Sequence, residues 1–349
     1  LYMNFNIGNT LVGPNQPTYF IAELSCNHHG SLDKALELVN LAHTAGANAV
    51  KTQTYTGDTI TLNCDKPWFK LKGTSWDSKG TLWELFNEAH TPWEWNKVIK
   101  EETEKLGMEF FSSPFDETAV DHLEELGVNA YKVASMEIVD IPLLKKIAST
   151  KKPVIVSTGM ASLTEIDEAV RTLKENGATA ITLLKCTSAY PAKPEDANLA
   201  TIKNLSETFG VLGGLSDHTL GIGVPVTACA LGARIVEKHF IKDRKEGGPD
   251  SAFSLEPTEF KEMIETVRVT EKAIGKIHYG GVKGEVRIFR RSLFIVKDIK
   301  KGEEFIEGVN IRSIRPGDGL HSRHMWDVVG RKASKDIEAG TPVSWDLIE

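Results

Sequence analysis

The chain has 349 residues, of which 41% are hydrophobic and 26% are charged, and its net charge at pH 7 is −7. This length is enough to bury the cores of one large domain and one small one. The acidic balance, without an extended Lys/Arg block, argues against bulk binding to nucleic acid or to an anionic membrane surface.

Neither a membrane span nor a secretory signal is visible. The sequence has no run of about 18 apolar residues and no charged segment followed by an apolar one near its start. The four cysteines, Cys26, Cys64, Cys186 and Cys229, are scattered without zinc-site or Cys-x-x-Cys spacing. We therefore expect free thiols in a reducing, cytoplasmic environment.

Eight short apolar runs alternate with helical patterns up to residue 275. The runs, each predicted to be a strand, are Tyr19–Ser25, Ala49–Tyr55, Glu109–Pro114, Ala130–Ser135, Pro153–Gly159, Ile181–Ser188, Val211–Thr219 and Arg234–Phe240. Ser31 and Gly46 are predicted to cap the first helix, and Thr164 to cap a later helix that reaches Glu175. Since parallel strands need crossover helices, eight alternations predict an α/β fold, a closed (β/α)8 TIM barrel. An open doubly wound sheet is the alternative, which the lack of Gly-x-Gly-x-x-Gly after the first run disfavours.

A long insertion, residues 56–108, separates the second and third predicted strands. It contains Trp68, Trp76, Trp83, Trp93 and Trp95, five of the seven tryptophans. Its first half, Thr59–Asp77, is predicted to be a long loop at the catalytic rim of the barrel, and its second half, Thr81–Leu106, to be helical.

The pattern changes after residue 275. We predict a barrel domain over residues 1–275, a glycine-rich linker over residues 276–291, and a small β-rich domain over residues 292–349 with frequent turns.

Histidines follow the seventh and eighth predicted strands. His218 and His239 lie one βα unit apart, so both imidazoles should reach the C-terminal rim, where such barrels keep their active sites. One histidine at a strand end is more often structural, but two on adjacent strands favour a metal site. Glu23, on the strand that adjoins the eighth after closure, is the candidate third ligand, or alternatively a residue that orients water or acts as acid or base. Two imidazoles with oxygen ligands suit Mn²⁺, or Mg²⁺ or Co²⁺ in its place, as a Lewis acid.

Charged residues recur at the ends of the predicted strands. They are Glu23, Lys51, Lys132, Glu137, Lys185, Asp217 and Glu237. Charges are costly to bury unless they are paired or engaged by a ligand. The set therefore predicts a highly polar cavity at one end of the barrel, with an internal ion-pair network as the alternative.

Hydroxyl-bearing residues accompany the three lysines. They are Ser112, Ser113, Ser135, Ser157, Thr158, Thr187, Ser188 and Ser216. Lysines with hydroxyls and loop amides form a cradle for phosphate or carboxylate, which makes a phosphorylated, acidic small molecule the expected ligand.

Motifs over nearly the whole chain resemble those of sialic acid synthases, enzymes that make nonulosonic acids from phosphoenolpyruvate (PEP). The motifs are Ala22–Gly30, Lys51–Thr54, Ser112–Phe115, Tyr131–Glu137, Ser157–Met160, Lys185–Pro191, Gly214–Thr219, Glu237–Phe240 and Gly248–Asp250. Residues 292–349, including Ile314–Gly317, resemble the antifreeze-like (SAF) domain of that family.

Within the family, the insertion resembles that of pseudaminic acid synthases at Thr61–Phe69 and from Leu82 to Trp95. The resemblance implies condensation of PEP with 2,4-diacetamido-2,4,6-trideoxy-L-altrose to give pseudaminic acid and phosphate by C–O cleavage. The alternative is an N-acetylneuraminate or legionaminic acid synthase with a mannosamine-type acceptor. Ser188, where neuraminate synthases tend to carry Asn, argues against plain N-acetylmannosamine.

The resemblance also implies roles for single residues. His218 and His239 would bind the metal, and Glu23 and Glu137 would stabilise a cationic intermediate or accept a proton from water. Substrate binding is implied for Lys51, Gln53, Ser113, Lys132, Ser135, Ser157, Ser188, Tyr190, Ser216 and Asp250. Arg315, on the SAF domain, would reach the acceptor in a partner subunit, which implies a domain-swapped homodimer.

Two other functions compete with this interpretation. A sugar-acid phosphate synthase would also use PEP, but its phosphorylated acceptor needs a second anion cradle, and the C-terminal domain argues against it. A non-catalytic carbohydrate- or ice-binding protein would rest on the antifreeze-like segment alone and would leave the polar strand ends without a purpose.

Overall fold

The computed structural model describes residues 4–73, 76–281 and 287–349. Residues 74–75 of the predicted rim loop and 282–286 of the predicted linker lie outside the described residues. The chain divides into two compact units, Leu1–Gly275 and Lys276–Glu349. Within the described ranges, no helix has the length and apolar character that crossing a membrane requires.

The first unit is a closed barrel of eight parallel strands. A hairpin, β1 (Phe5–Ile7) and β2 (Thr10–Val12), precedes it. The barrel strands are β3 (Tyr19–Glu23), β4 (Ala49–Thr54), β5 (Glu109–Pro114), β6 (Tyr131–Val133), β7 (Val154–Ser157), β8 (Ile181–Cys186), β9 (Leu212–Asp217) and β10 (Ile235–His239). Parallel pairing of β10 with β3 closes the ring. The predicted TIM barrel is thus confirmed, and the open doubly wound sheet is excluded.

Helices cover the outside of the barrel and fill the insertion. They are α1 (Leu32–Ala45), α2 (Gly57–Ile60), α3 (Leu82–Ala89), α4 (Trp93–Lys105), α5 (Glu117–Leu126), α6 (Ile141–Ser149), α7 (Leu163–Glu175), α8 (Ala200–Phe209), α9 (Gly223–Ala230) and α10 (Pro257–Ile274). Ser31 caps α1, and Gly46 ends it in the left-handed region at φ 92°, both as predicted.

The predicted cap Thr164 is wrong. Ser162 caps α7 instead, because its hydroxyl accepts from the Glu165 amide while the Glu165 carboxylate accepts from the Ser162 amide. This reciprocal capping box satisfies two free donors at once, which a single cap at Thr164 would not do.

The insertion contains more structure than a loop and one helix. The predicted helical half is two helices, α3 and α4, with residues 90–92 between them. Proline at position 92 explains the break, because His90 is extended and proline cannot continue a helix. The predicted loop half includes part of α2 and a 3₁₀ turn at Pro67–Phe69.

The N-terminal hairpin packs against the N-terminal end of the barrel strands. Ile7 and Val12 are fully buried in the same hydrophobic core as the barrel. The Asn9 amide donates to the carboxylate of Glu109, the first residue of β5, at 3.0 Å. The polar strand ends described below therefore lie at the opposite end of the barrel.

The second unit has its own small core, which includes Leu293, Phe305, Val328 and Val343. Strands β11 (Ser292–Ile295) and β12 (Ile311–Ile314) pair antiparallel, and a short helix, α11 (Met325–Val328), follows.

Candidate active site

The two predicted histidines lie side by side at the C-terminal end of the barrel. His239 is the last residue of β10, and His218 directly follows β9, the neighbouring strand. Their ring centroids are 5.4 Å apart, and both side chains are buried. Adjacent strands thus deliver two imidazoles to one place.

The contacts of the ring nitrogens bear on whether these histidines could hold a metal. His218 Nδ1 lies 3.0 Å from the Thr187 carbonyl oxygen, and when Nδ1 donates there, Nε2 keeps its lone pair. His239 Nδ1 is buried without a hydrogen-bond partner. Burial, reinforced by neighbouring His218 and Lys51, lowers the pKa of His239 well below its usual value. This imidazole is therefore neutral, as a metal ligand must be.

The nearby carboxylates do not complete a ligand set. Asp250 Oδ2 lies 3.5 Å from His239 Nδ1 and accepts a hydrogen bond from the Ser25 hydroxyl. Glu23, the predicted third ligand, pairs instead with Lys51 and accepts from the Ser25 amide. In the part of the chain that the structure describes, no group of three or more His, Cys, Asp or Glu side chains is placed to hold a metal. The residues fit a two-imidazole site whose remaining positions would go to substrate and water.

A buried ion-pair cluster lies deeper in the barrel than the histidines. It consists of Glu23, Lys51, Lys132 and Glu237, none more than 5% exposed. Lys51 pairs with Glu23 and lies 3.6 Å from Glu237 Oε1, while the Lys132 ammonium lies 3.8 Å from the same oxygen. The alternative of an internal ion-pair network therefore describes these four residues.

Serine hydroxyls extend this cluster. Lys51 Nζ donates to Ser113 Oγ at 3.1 Å, and Lys132 Nζ donates to Ser157 Oγ at 2.7 Å. Burial lowers the pKa of Lys132. Burial also opposes charge on Lys51, but its two glutamate neighbours outweigh it and raise the pKa of that lysine. The result is a pair of ammonium groups with paired hydroxyls, a donor set suited to phosphate or carboxylate.

The other predicted serines lie around Gly159 and on β9. Ser135 Oγ accepts from the Gly159 amide at 3.1 Å. A side chain at position 159 would collide with the hydroxyls of Ser135 and Ser188, so glycine is what allows their close approach. Ser216 is buried on β9, where it pairs in register with Glu237 of β10.

A cavity of about 520 Å³ opens at the C-terminal end of the strands, within the range of small-molecule sites. Its polar floor consists of Ser25, Gln53, Glu137, Tyr190, His239 and Asp250. Gln53 and His239 each come two residues after a member of the ion-pair cluster on the same strand, Lys51 on β4 and Glu237 on β10. The cavity therefore lies on the rim side of the buried lysines.

Glu137 lines the cavity and, unlike Glu23 and Glu237, has no ion-pair partner among the described residues. Its Oε2 atom is buried without a hydrogen-bond partner, and burial raises its pKa to about 7. A carboxyl group that ionises near neutral pH can exchange a proton with a bound substrate or water.

A second group of side chains that lines the cavity is apolar, and none of them was predicted to bind a ligand. We call this group the apolar wall; it consists of Ile60, Leu71, Leu82, Leu85, Phe86 and Phe115. Tyr55 joins the wall to the barrel, since its ring packs edge-on against Phe86 and Phe115 at centroid distances of 5.6 and 5.1 Å. The available signal was the spacing of Leu82, Leu85 and Phe86, which places them on one face of α3.

Cys186 also contacts the site without having been assigned to it. Its Sγ atom lies 3.9 Å from His218 Nδ1 and 4.0 Å from Ser188 Oγ. Its position at the end of β8 was the signal.

Two of the charged strand-end residues take other partners. Asp217 pairs with the buried Lys238 at 2.5 Å, and Lys185 donates to the Cys186 carbonyl oxygen at 2.8 Å. Arg315 belongs to the second unit, where it is exposed and its guanidinium lies 5.9 Å from the centre of the Phe289 ring.

The chain matches known proteins over almost its whole length. The NeuB family model matches residues 38–279, and the SAF domain model matches residues 290–349. Pseudaminic acid synthase of Helicobacter pylori is 45% identical over 338 residues, which are 96% of this chain and 98% of the relative. Pseudaminic acid synthase of Campylobacter jejuni is 46% identical over 336 residues, 96% of this chain and 97% of the relative.

A solved structure agrees with these matches. N-acetylneuraminic acid synthetase from Leptospira borgpetersenii superposes with a TM-score of 0.73 at 33% identity, covering 81% of this chain and 94% of that one. The chain therefore belongs to the NeuB family, and its C-terminal segment is a SAF domain.

Proposed function

We propose that the chain is a pseudaminic acid synthase that condenses PEP with 2,4-diacetamido-2,4,6-trideoxy-L-altrose to give pseudaminic acid and phosphate. The observation that carries this proposal is a buried two-lysine cradle for an anion, set below two adjacent histidines. The similarity to two pseudaminic acid synthases supports the choice of acceptor.

PEP would bind at the lysines. Its phosphate and carboxylate groups match Lys51 and Lys132, with Ser113 and Ser157 as the hydroxyl donors already bonded to them. Ser135, Ser188 and Ser216 would complete the contacts. Bound PEP would also compensate the positive charge of the buried ammonium groups, which form ion pairs with Glu23 and Glu237.

The amino sugar would bind on the polar floor. Gln53, Tyr190 and Asp250 would hold its hydroxyl and amide groups. The Tyr190 ring lies 4.5 Å from the His218 ring, so a sugar in contact with Tyr190 would place its aldehyde beside the histidines.

His218 and His239 would hold a divalent cation, Mn²⁺ or in its place Mg²⁺ or Co²⁺. When bound, the cation would polarise the aldehyde oxygen as a Lewis acid. If turnover survived complete chelation and was not raised by added Mn²⁺, the metal role would be wrong.

The reaction would form one C–C bond and break one C–O bond. C3 of PEP attacks the aldehyde carbon, which leaves positive charge at C2. Water adds to C2, and the resulting tetrahedral intermediate expels phosphate with the bridging oxygen. We assign the proton from that water to Glu137, because Glu23 is held by Lys51 and the Ser25 amide.

The proposal includes a domain-swapped homodimer, in which Arg315 of one subunit contacts the acceptor bound to the other. It also places the enzyme in the cytoplasm, which suits the free cysteines Cys26, Cys64, Cys186 and Cys229.

Phosphate release from PEP with three acceptors tests the function. The expected order of kcat/KM puts 2,4-diacetamido-2,4,6-trideoxy-L-altrose first, ahead of the legionaminic acid precursor and N-acetylmannosamine. A preference for either mannosamine-type acceptor would replace the proposal with the corresponding legionaminic or neuraminic acid synthase. No phosphate release with any acceptor would refute a condensing enzyme.

A further inference from the structure

The two sides of the cavity differ in chemistry. The polar floor offers carboxylates, an imidazole, an amide and hydroxyls, and it is built from the strand ends and the loops that follow them. The apolar wall is built from leucine, isoleucine and phenylalanine side chains, which carry no hydrogen-bonding atom. Five of its six residues come from the insertion between β4 and β5.

Under the proposed function the aldehyde of the acceptor lies beside His218 and His239, on the floor. The far end of an acceptor whose carbon chain extends toward the insertion would then meet the apolar wall.

The residues of the wall are packed and hydrogen-bonded within the insertion. Leu71 and Leu85 are only 8% and 6% exposed, and the Leu71 amide donates to the Gly80 carbonyl oxygen at 3.0 Å. Helix α3, which carries half of the wall, begins with a reciprocal capping box between Thr81 and Glu84. These contacts hold the wall in place.

Tyr55 also lines the cavity, and its ring packs on the wall. Burial, together with nearby Cys26 and Asp250, raises the pKa of Tyr55 well above its usual value, so its hydroxyl stays protonated.

We infer that the apolar wall selects an acceptor whose terminal carbon is a methyl group and discriminates against one that ends in a hydroxymethyl group. The inference rests on the proposed condensation and adds the residues that read the far end of the sugar. A hydroxyl group placed against the wall loses its hydrogen bonds to water without gaining a hydrogen-bond partner there. An apolar pocket disfavours an added hydroxyl by about 10- to 100-fold in kcat/KM.

The test compares 2,4-diacetamido-2,4,6-trideoxy-L-altrose with its 6-hydroxy counterpart, 2,4-diacetamido-2,4-dideoxy-L-altrose, by phosphate release from PEP. The wild-type chain should prefer the deoxy sugar by about 10- to 100-fold. Leu82→Asn and Leu85→Asn place an amide in the wall, and each should reduce that preference by about tenfold. Leu82 is only half-buried, so its variant serves if Leu85→Asn does not fold.

Leu62→Asn is the matched control. Leu62 lies in the same insertion, is 59% exposed and does not line the cavity, so the preference should stay at the wild-type value. Equal use of the two sugars by the wild type, wild-type preference in both wall variants, or a shift in the control as large as theirs would overturn the inference alone. Absence of phosphate release with both sugars would overturn the proposed function and the inference with it.

Discussion

Glu23 and Glu137 are carboxylates of the same site, but their contacts suit them to different roles. Glu23 is committed to Lys51 and to the Ser25 amide. Glu137 has no ion-pair partner among the described residues, and burial raises its pKa to about 7. The sequence predicted both as site residues, since both lie near the ends of predicted strands, but it could not distinguish their roles, because their difference lies in contacts with residues distant along the chain.

The titration of Glu137 predicts a pH dependence. If its carboxylate accepts the proton of water, kcat should rise as the pH increases through about 7. Glu137→Gln should lower kcat by about 10²- to 10⁴-fold and remove that rise. Initial rates of phosphate release on both sides of neutrality measure both effects.

The glutamine variant should remain folded. A raised carboxyl pKa means that ionisation opposes folding, a cost that is absent below the unfolded-state pKa and grows as the pH rises toward about 7. Glutamine escapes this cost. Glu168→Gln, an exposed change on α7, is the control and should leave the profile unaltered. A rise in rate that persists in Glu137→Gln would assign the proton transfer to another group.

Strands β9 and β10 show what the sequence pattern of a strand can and cannot predict about its side chains. Ser216 and Glu237 face each other in register, and Glu237 joins the buried cluster. The next residues, Asp217 and Lys238, pair with each other instead. The prediction that every charged strand-end residue belongs to the polar cavity therefore included too many residues, because successive side chains on a strand point to opposite faces.

Removal of that pair should destabilise the barrel. Asp217→Ala leaves the Lys238 ammonium, which is 0% exposed, without its counter-charge. The free energy of unfolding should fall by about 3–5 kcal/mol, measured by urea denaturation.

The control for this variant is Asp167→Ala, which breaks an exposed ion pair with Arg171 on α7. Its loss of stability should be much smaller, because an exposed ion pair contributes little. Similar losses in the two variants would show that the Asp217–Lys238 pair contributes no more than a surface pair.

At the scale of the molecule, the sequence predicted a closed barrel because eight strand–helix alternations admit few other arrangements. It missed the N-terminal hairpin, whose strands of three residues are too short to show a pattern. The sequence also predicted that the insertion lies at the rim, but not which of its residues line the cavity. The wall depends on the packing of Phe86, from α3, and of Phe115 against Tyr55, and such contacts leave no periodic pattern in the sequence.

The proposed domain swap predicts complementation between two inactive variants. His239→Ala disables a barrel, and Arg315→Ala disables a SAF domain. A swapped dimer with one subunit of each variant has two sites, and one of these sites combines the intact barrel with the intact SAF domain. Random mixing should therefore restore about a quarter of wild-type activity. Refolding or co-expression of the two variants, followed by phosphate-release assays, measures this. Activity in the mixture no higher than the sum of the separate variants would rule out the swap.

The hairpin at the N-terminal end of the barrel strands affects how molecules enter and leave the site. Ile7 and Val12 are buried in the barrel core at that end, and the cavity opens at the opposite end. Lys51 lies two residues deeper along β4 than Gln53 of the floor, and Glu237, which lies near both Lys51 and Lys132, is two residues deeper along β10 than His239. A molecule that binds at the lysines must therefore enter the cavity before a molecule that binds on the floor. Any product that remains at the lysines can leave only after the molecule on the floor has dissociated.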